Sequence, residues 1–178
     1  MDSLEVVATP VFGKEELDWL VRMREAHTKD IGPPHFTLVF PGSKLTPPAF
    51  IKEVTAAASS IKRIAFRLCS AIVIPDLQVR SFHVFLVPDE GFGAIVRLHA
   101  ALHAGALVEC LRTDFPYIPH LTVASEPDFA TARKVAAKLN AKPFSIAGRL
   151  EALEIHRRDG GVVRSIATVP LAKAGLFG

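Results

Sequence analysis

The chain has 178 residues, of which 49% are hydrophobic and 22% charged, a composition typical of a folded domain and not of a disordered segment. Its apolar runs fall far short of the ~20 residues that cross a bilayer, and its first residues lack the pattern of a signal peptide. The formal net charge of +3 permits a phosphate-bearing ligand. The lysines and arginines are not clustered in the sequence as they are in DNA-binding domains. Cys69 and Cys110 belong to no CxxC pair or zinc-spaced cluster, so we expect a reducing, cytoplasmic environment and no membrane association.

Strands and helices are predicted to alternate from the start of the chain. Val-rich residues 4–11 predict a short strand, and residues 14–28 predict a helix with acids in its first turn. Residues 35–40 alternate and predict a second strand, and the Thr-Pro pair that opens 46–59 predicts a helix start. The residues expected on the inner faces of these helices are Leu17, Leu20, Val21, Phe50, Val54, Ala57 and Ala58.

The middle of the chain predicts a hairpin followed by a helix. Two extended segments, 63–74 and 80–87, lie on either side of a Pro-Asp pair. Residues 91–104 predict a helix, and residues 105–117 have little periodicity and predict a long loop. The expected inner residues of this helix are Phe92, Ile95, Leu98 and Leu102.

The last part of the chain predicts a strand, a helix and a strand pair. Residues 118–124 predict the strand, and Ser125 is the expected N-cap of the helix. Residues 143–157 and 161–170 predict strands joined by an Asp-Gly-Gly turn, and the tail after Leu171 is expected to fray. The expected inner residues of the helix are Ala132, Val135, Ala136 and Leu139.

The order of these elements contains a repeat. One unit begins at His35 and the other at His120, and each runs strand, helix, strand, strand. Each unit opens with His, an apolar residue, Thr and an apolar residue. Two such units are expected to pack as two lobes with approximate two-fold symmetry, so that their opening strands face each other across a central cleft.

The two opening tetrads carry the chemistry of the chain. Side chains two apart on a strand point to one face, so His35 and Thr37 share a face, as do His120 and Thr122. Two imidazoles can divide proton transfer, one accepting and one donating, because the ordinary pKa of histidine is ~6.5. Threonine hydroxyls can donate hydrogen bonds to phosphate oxygens. One His-x-Thr on a strand is commonly structural, but two copies that open equivalent units favour a site for phosphoryl transfer.

The tetrads, 85 residues apart, resemble the signature of the 2H phosphoesterase superfamily, the RNA 2′,3′-cyclic phosphodiesterases or 2′-5′ RNA ligase-like proteins. The surrounding segments PPHFTLVFPG, HVFLVP and YIPHLTVA agree, and the resemblance covers residues 4 to 170. It implies a single α+β domain over 1–178, bilobal, with two antiparallel sheets lining a central cleft and helices outside. It also implies that His35 and His120 are catalytic, that Thr37 and Thr122 hold the phosphate, and that no metal or cofactor is required.

The resemblance implies opening of a 2′,3′-cyclic phosphate to a 2′-phosphate, on an RNA end or a small cyclic nucleotide. His35 is assigned as general acid and His120 as general base, although the symmetry of the site allows the reverse. Two alternatives stay open: 2′-5′ RNA end-joining in the same site, and a non-catalytic module that binds nucleotides or RNA. No obligate protein partner is evident, and the oligomeric state is open.

Four further residues are candidates for substrate contact. Lys44 follows the first tetrad, and Arg112 lies in the long loop. Each side chain can pair with a phosphate or remain a solvated loop charge. Phe115 and Tyr117 precede the second tetrad and can stack on a base, although packing in the core or at the cleft rim is an open alternative.

The remaining histidines suggest no metal site. His99 and His103 are four residues apart on a predicted helix, a spacing that can chelate a metal. No third ligand accompanies them and both flank the apolar stripe, so packing is the favoured interpretation. His27, His83 and His156 have no partner that the sequence identifies.

Overall fold

The computed structural model describes residues 3–27, 32–76, 80–114 and 116–173. These residues form nine strands, four α-helices and a 3₁₀ helix at Ala106–Cys110. The strands are β1 (Ser3–Ala8), β2 (Val11–Phe12), β3 (Phe36–Val39), β4 (Ile64–Asp76), β5 (Ser81–Pro88), β6 (Leu121–Glu126), β7 (Ile146–Leu150), β8 (Ala152–Asp159) and β9 (Val162–Pro170). The helices are α1 (Lys14–His27), α2 (Pro47–Ala58), α3 (Phe92–Leu102) and α4 (Phe129–Asn140).

The strands form two antiparallel sheets. Sheet A has the order β3-β1-β8-β9, and sheet B has the order β2-β7-β4-β5-β6. The strands that follow His35 and His120, β3 and β6, are therefore edge strands of different sheets. The α+β class with two antiparallel sheets is confirmed.

Both predicted hairpins are present. β4 and β5 pair from Asp76 opposite Ser81 back to Leu68 opposite Pro88. β8 and β9 are joined at Gly160 and Gly161, whose φ angles are +54° and +88°. Positive φ at both central residues is the backbone that a tight two-residue hairpin turn requires, and glycine adopts it without a steric penalty.

The helices bury the apolar faces that the sequence predicts in α2, α3 and α4. Phe50 and Val54 of α2 are fully buried, as are Ile95 and Leu98 of α3. α4 packs against β4, β5 and β6 through four buried residues, Ala132, Val135, Ala136 and Leu139. The cores of the two sheets meet where the rings of Phe36 and Phe66 pack edge to face, with centroids 5.0 Å apart.

The inner face predicted for α1 is partly wrong. Leu20 is fully buried, but Leu17 is 41% exposed and Val21 is 39% exposed. The ring of Trp19 stacks on Phe144 at a centroid distance of 5.9 Å, and Arg24 is buried. The large indole contact turns the helix so that Leu20 faces the core and the aliphatic pair faces outward.

Strand pairing also corrects two predicted boundaries. Ser125 is not an N-cap, because β6 extends through it and pairs it with His83 of β5. The cap of α4 is Asp128, whose Oδ1 accepts the Thr131 amide at 2.9 Å. The single strand expected over 143–157 is two strands, because β7 pairs in sheet B and β8 pairs in sheet A.

Two further segments that the sequence predicts are the long loop and the tail. The loop expected over 105–117 contains the 3₁₀ helix, in which Leu107 is buried. At the start of the tail, Leu171 is buried and Ala172 pairs with Lys62. Residues 174–178, where the rest of the frayed tail was expected, lie outside the described residues.

The internal repeat is not confirmed. In the unit that begins at His35, β3 belongs to sheet A while β4 and β5 belong to sheet B. In the unit that begins at His120, β6 and β7 belong to sheet B while β8 belongs to sheet A. The two units therefore share an order of elements without occupying equivalent places. Among the described residues, no helix combines the length and apolarity that spanning a membrane requires.

Gly91 provides a test of the packing between α3 and sheet B. It precedes α3 with φ +84°, and a Cβ there would lie 2.5 Å from the Ala65 carbonyl oxygen and 2.7 Å from Phe66 Cβ. We expect Gly91→Ala to lower the free energy of unfolding by about 3 kcal/mol, measured by urea denaturation. Gly93→Ala, inside the same helix with only the Arg97 guanidinium nearby, is the control and should raise it by about 0.5–1 kcal/mol. Equal effects of the two variants would contradict the close approach.

Candidate active site

The two tetrads have the alternating burial that a strand imposes. Phe36 and Leu38 are fully buried, whereas His35 and Thr37 are only half-buried. In the second tetrad Leu121 and Val123 are fully buried, and the histidine and threonine beside them are again half-buried. The core thus holds the apolar residues of each tetrad and leaves both His-Thr pairs on the opposite face.

The two sheets bring three of the four predicted residues to one cavity. Thr37, His120 and Thr122 line a cavity of about 580 Å³, together with Phe85 and His83 of β5. His35 is not one of the lining residues, but it adjoins Thr37, and its charge acts on the pKa of His120. The cavity is large enough for a single nucleotide and lies where the edge strands β3 and β6 approach.

Each tetrad histidine is anchored in the same way. His35 Nδ1 lies 2.9 Å from the Pro33 carbonyl oxygen, and His120 Nδ1 lies 2.6 Å from the Ile118 carbonyl oxygen. A carbonyl oxygen only accepts hydrogen bonds, so each Nδ1 carries a proton and donates it. Nε2 is therefore the nitrogen of each ring that accepts or releases a proton in chemistry.

His120 is held in its neutral form at pH 7. Its ring stacks on Phe85 with centroids 3.6 Å apart, which places it against an apolar wall. Burial is the main cause that lowers the pKa of His120 to about 4, and the nearby His35 and His83 act in the same direction. The hydrogen bond to the Ile118 carbonyl opposes this shift without reversing it. His120 is thus suited to accept a proton.

His35 has a different electrostatic environment. Burial also lowers the pKa of His35, but the Glu5 carboxylate opposes the shift by stabilising the imidazolium. Glu5 is buried on β1, accepts a hydrogen bond from Arg158 Nη2 at 2.9 Å, and lies 3.9 Å from His156 Nδ1. His35 therefore has a buried carboxylate nearby, whereas His120 lies against a phenyl ring.

Tyr117 makes contacts within the protein that the sequence did not predict. Its hydroxyl donates to the Thr37 carbonyl oxygen at 3.1 Å, and its ring stacks on His99 at 3.7 Å. The bond joins the loop before β6 to the edge strand β3, so it holds the two tetrads near each other. Burial raises the pKa of the Tyr117 hydroxyl, which keeps it a donor. Phe115, the other candidate for base stacking, lies outside the described residues.

Arg112 lines the cavity, and its charge is already engaged. Its Nε donates to Asp114 Oδ1 at 3.0 Å, its Nη2 contacts Asp114 Oδ2, and its guanidinium lies over the Phe40 ring at 5.5 Å. Lys44 is exposed, does not belong to the lining of this cavity, and donates its backbone amide to Glu109 Oε1 at 2.9 Å.

Three residues near the site were not predicted from the sequence. His83 and Phe85 are two apart on β5 and so share the cavity face, a pattern that the strand alternation contains. His83 Nε2 lies 3.4 Å from Asp76 Oδ2 across the β4–β5 hairpin. Glu5 gave no signal, because a single acid in a Val-rich strand does not reveal that its neighbour is His35.

His99 and His103 pack as the sequence favours. Both are buried, their ring centroids are 4.3 Å apart, and His103 Nδ1 lies 2.8 Å from the His99 carbonyl oxygen. Burial is the main cause that lowers the pKa of His99 to about 4. Over the ranges that the structure describes, no three His, Cys, Asp or Glu side chains are grouped so that they could hold a metal ion.

Comparisons with known proteins identify the class. The family model of the 2′-5′ RNA ligase superfamily matches residues 19–162, which is most of the chain. The chain belongs to this superfamily, the 2H phosphoesterases, a class that carries out phosphodiester hydrolysis or ligation. No curated protein sequence matches the chain at a significant level.

Solved structures show the same fold at low identity. A phosphoesterase has a TM-score of 0.62 at 15% identity, and Escherichia coli LigT complexed with 3′-AMP has 0.60 at 15%. In both cases the match covers 96% of this chain and 98% of the other. Kluyveromyces marxianus Usb1 has a TM-score of 0.58 at 12% identity, covering 95% of this chain and 98% of the other. These similarities establish the architecture and leave the substrate to be argued from this chain.

The bond from Tyr117 to Thr37 gives a test of how the tetrads are held together. Tyr117→Phe removes the hydroxyl and keeps the ring on His99, so a carbonyl of β3 loses its donor. We expect the free energy of unfolding to fall by about 1–2 kcal/mol in urea denaturation. His99→Phe retains an aromatic ring beside Tyr117 and serves as a comparison in which the bond persists. An unchanged stability of Tyr117→Phe would show that the bond does not hold the loop to the strand.

Proposed function

We propose that this protein is a metal-independent cyclic phosphodiesterase that opens a 2′,3′-cyclic phosphate, on an RNA end or a nucleotide, to a 2′-phosphate. The observation that carries the proposal is the matched anchoring of His35 and His120, each through Nδ1 to a carbonyl two residues earlier. Each ring leaves Nε2 for proton transfer, and each histidine shares a strand face with a threonine that lines the cavity. Such a pair supplies both a base and an acid to one phosphorus atom.

In the proposed reaction, His120 Nε2 takes a proton from a water molecule as the water oxygen attacks phosphorus. The bond between phosphorus and O3′ breaks, and O3′ takes a proton from the His35 imidazolium. The product carries a 3′-hydroxyl and a 2′-phosphate, so one water is added and no charge is left unbalanced. Exchange with solvent then returns His120 to its neutral form and His35 to its protonated form.

The environments of the two rings support this division of roles. His120 has a pKa of about 4 and is neutral at pH 7, as a base must be. Burial lowers the pKa of His35, and the Pro33 carbonyl and the Glu5 carboxylate oppose that shift by stabilising the imidazolium that an acid requires. A bound phosphodiester anion raises the pKa of both rings, and the gain matters most for the acid.

Thr37 and Thr122 are proposed to hold the phosphate. They line the cavity from opposite sheets, and each shares a strand face with one of the histidines. A hydroxyl donor on either side of the phosphate stabilises charge on the non-bridging oxygens as the transition state forms. The related structures of LigT with 3′-AMP and of Usb1 with uridine monophosphate show that proteins of this fold bind nucleoside monophosphates.

RNA end-joining is the second candidate, because it is the reverse transfer in the same site and uses the same residues. The superfamily name favours keeping it. A neutral His120 accepts a proton from water or from a 5′-hydroxyl alike, so the products of the assay below separate hydrolysis from end-joining. A non-catalytic nucleotide binder is the third candidate, and it predicts binding without turnover. We also propose a cytoplasmic location, which the free thiols Cys69 and Cys110 fit, and a role in RNA processing, which the superfamily fits.

The first test is hydrolysis of a short RNA ending in a 2′,3′-cyclic phosphate, with excess EDTA. We expect the wild type to form the 2′-phosphate product. His120→Ala and His35→Ala should each lower kcat/KM by roughly 10²–10⁴-fold, because each removes a proton carrier. His27→Ala, which replaces a histidine paired with Glu126 away from the cavity, should keep wild-type activity. Binding without turnover by the wild type would support the non-catalytic module, and a 3′-phosphate product would reverse the assigned leaving group.

The second test is the pH dependence of kcat/KM. His120 must be unprotonated to act as base, so kcat/KM should rise as the pH increases through about 4. His35 must be protonated to act as acid, so kcat/KM should fall as the pH increases through a pKa below 6.5. The profile should therefore peak between the two limbs, above about pH 4 and below pH 6.5. An optimum above pH 7 would contradict the assignment.

Glu5→Gln separates the two limbs of this profile. Glu5, Arg24 and His156 shift the pKa of His35, and of these three Glu5 is the one that raises it; the Glu154 carboxylate also interacts with the His35 charge and is kept in this variant. Removing the Glu5 carboxylate should move the alkaline limb to lower pH and leave the acid limb of His120 in place. Movement of the acid limb alone would exchange the roles of the two histidines.

A further inference from the structure

The end of the cavity away from the two threonines carries its own set of charges. Asp76 is the last residue of β4, and His83 lies on the neighbouring strand β5. Arg112 and Asp114 lie in the loop before β6. All four line the same cavity as His120. Phe85 pairs with Thr122 in the sheet, and His83 lies two residues before Phe85 on β5. Phe40, Ile74 and Phe85 contribute apolar side chains to the cavity wall.

This set of charges is negative overall. Arg112 is the one lysine or arginine that lines the cavity within the described residues, and Asp114 engages it through two nitrogens. Asp76 also acts on Arg112 and raises its pKa, although less than Asp114 does. Two carboxylates therefore face one guanidinium. Apart from His83, the charged side chains at this end are two carboxylates and one guanidinium, which sum to a formal charge of about −1.

His83 holds the Asp76 carboxylate in place. Its Nε2 lies 3.4 Å from Asp76 Oδ2 and 3.5 Å from Ser81 Oγ. Its ring is parallel to Phe85 at a centroid distance of 6.0 Å, and Phe85 in turn stacks on His120. The stacked rings of β5 therefore place the Asp76–His83 pair at a set distance along the cavity from the catalytic ring.

We propose that Asp76, positioned by His83, is a specificity-determining residue that rejects a second phosphate group, so that the cavity selects substrates with one phosphodiester and an uncharged body. A phosphate added at the far end of the substrate meets the Asp76 carboxylate across a partly desolvated, apolar cavity, where like charges repel more than in water. Hydrogen-bond donors of a sugar or base can instead bind the same carboxylate. The inference rests on the proposed function in taking the reacting phosphate to lie between Thr37 and Thr122.

The test uses binding, so that it does not depend on turnover. The probes are adenosine 2′-monophosphate and adenosine 2′,5′-bisphosphate, titrated by calorimetry in EDTA at low ionic strength. We expect the wild type to bind the monophosphate about tenfold more tightly than the bisphosphate. Repulsion between the Asp76 carboxylate and the added phosphate is the expected cause of this difference in affinity. Asp76→Asn should bring the two affinities within about twofold of each other.

Asp89→Asn is the matched control, because Asp89 is an exposed carboxylate beyond the other end of β5 and does not line the cavity. It should leave the wild-type ratio unchanged. Equal or tighter binding of the bisphosphate by the wild type would overturn the proposal, as would a ratio that Asp76→Asn does not alter or a failure of both probes to bind. If the ratio behaves as expected while the cyclic phosphate RNA is not hydrolysed, the proposed reaction fails and the charge selection stands.

Discussion

The site depends on burial of the apolar residues in the two edge strands. Phe36 and Leu38 on β3, and Leu121 and Val123 on β6, are fully buried, and that burial sets the rotation of each strand. A slip of one residue would send the histidines and threonines into the core. Each fully buried leucine or phenylalanine contributes roughly 1.5–3 kcal/mol from burial, so such a slip is costly. The core therefore determines which face of each strand carries the polar pair.

The two tetrads have the same local hydrogen bonds but different neighbours. Both histidines donate Nδ1–H to a carbonyl two residues earlier, so the local chain gives them the same tautomer. Their neighbours across the sheets differ, since Phe85 stacks on His120 while the Glu5 carboxylate acts on His35. Two similar sequence motifs can thus take different roles in proton transfer, because the pKa of a histidine follows from what packs against it.

Strand and helix periodicity predicted most elements, and the errors have physical causes. The strand β6 runs through Ser125 because pairing with His83 outweighs a local capping preference. Residues 143–157 divide between sheets at Glu151, a break that periodicity along one chain does not reveal. α1 turned Leu17 and Val21 outward because the large ring of Trp19 packs on Phe144. In each case a contact with a residue distant in sequence decided between local alternatives.

The tetrads, the face on which each His-Thr pair lies and the superfamily could all be predicted from the residue pattern, because they follow from spacing within one strand. Sheet pairing makes β3 and β6 edge strands of different sheets, joined by the bond from Tyr117 to Thr37, and no local pattern contains that arrangement. Tertiary structure also decided the contacts of Glu5, Phe85 and Asp76 around the site. These contacts join residues far apart in the chain, and sheet pairing brings them together with no mark in the local pattern of either partner.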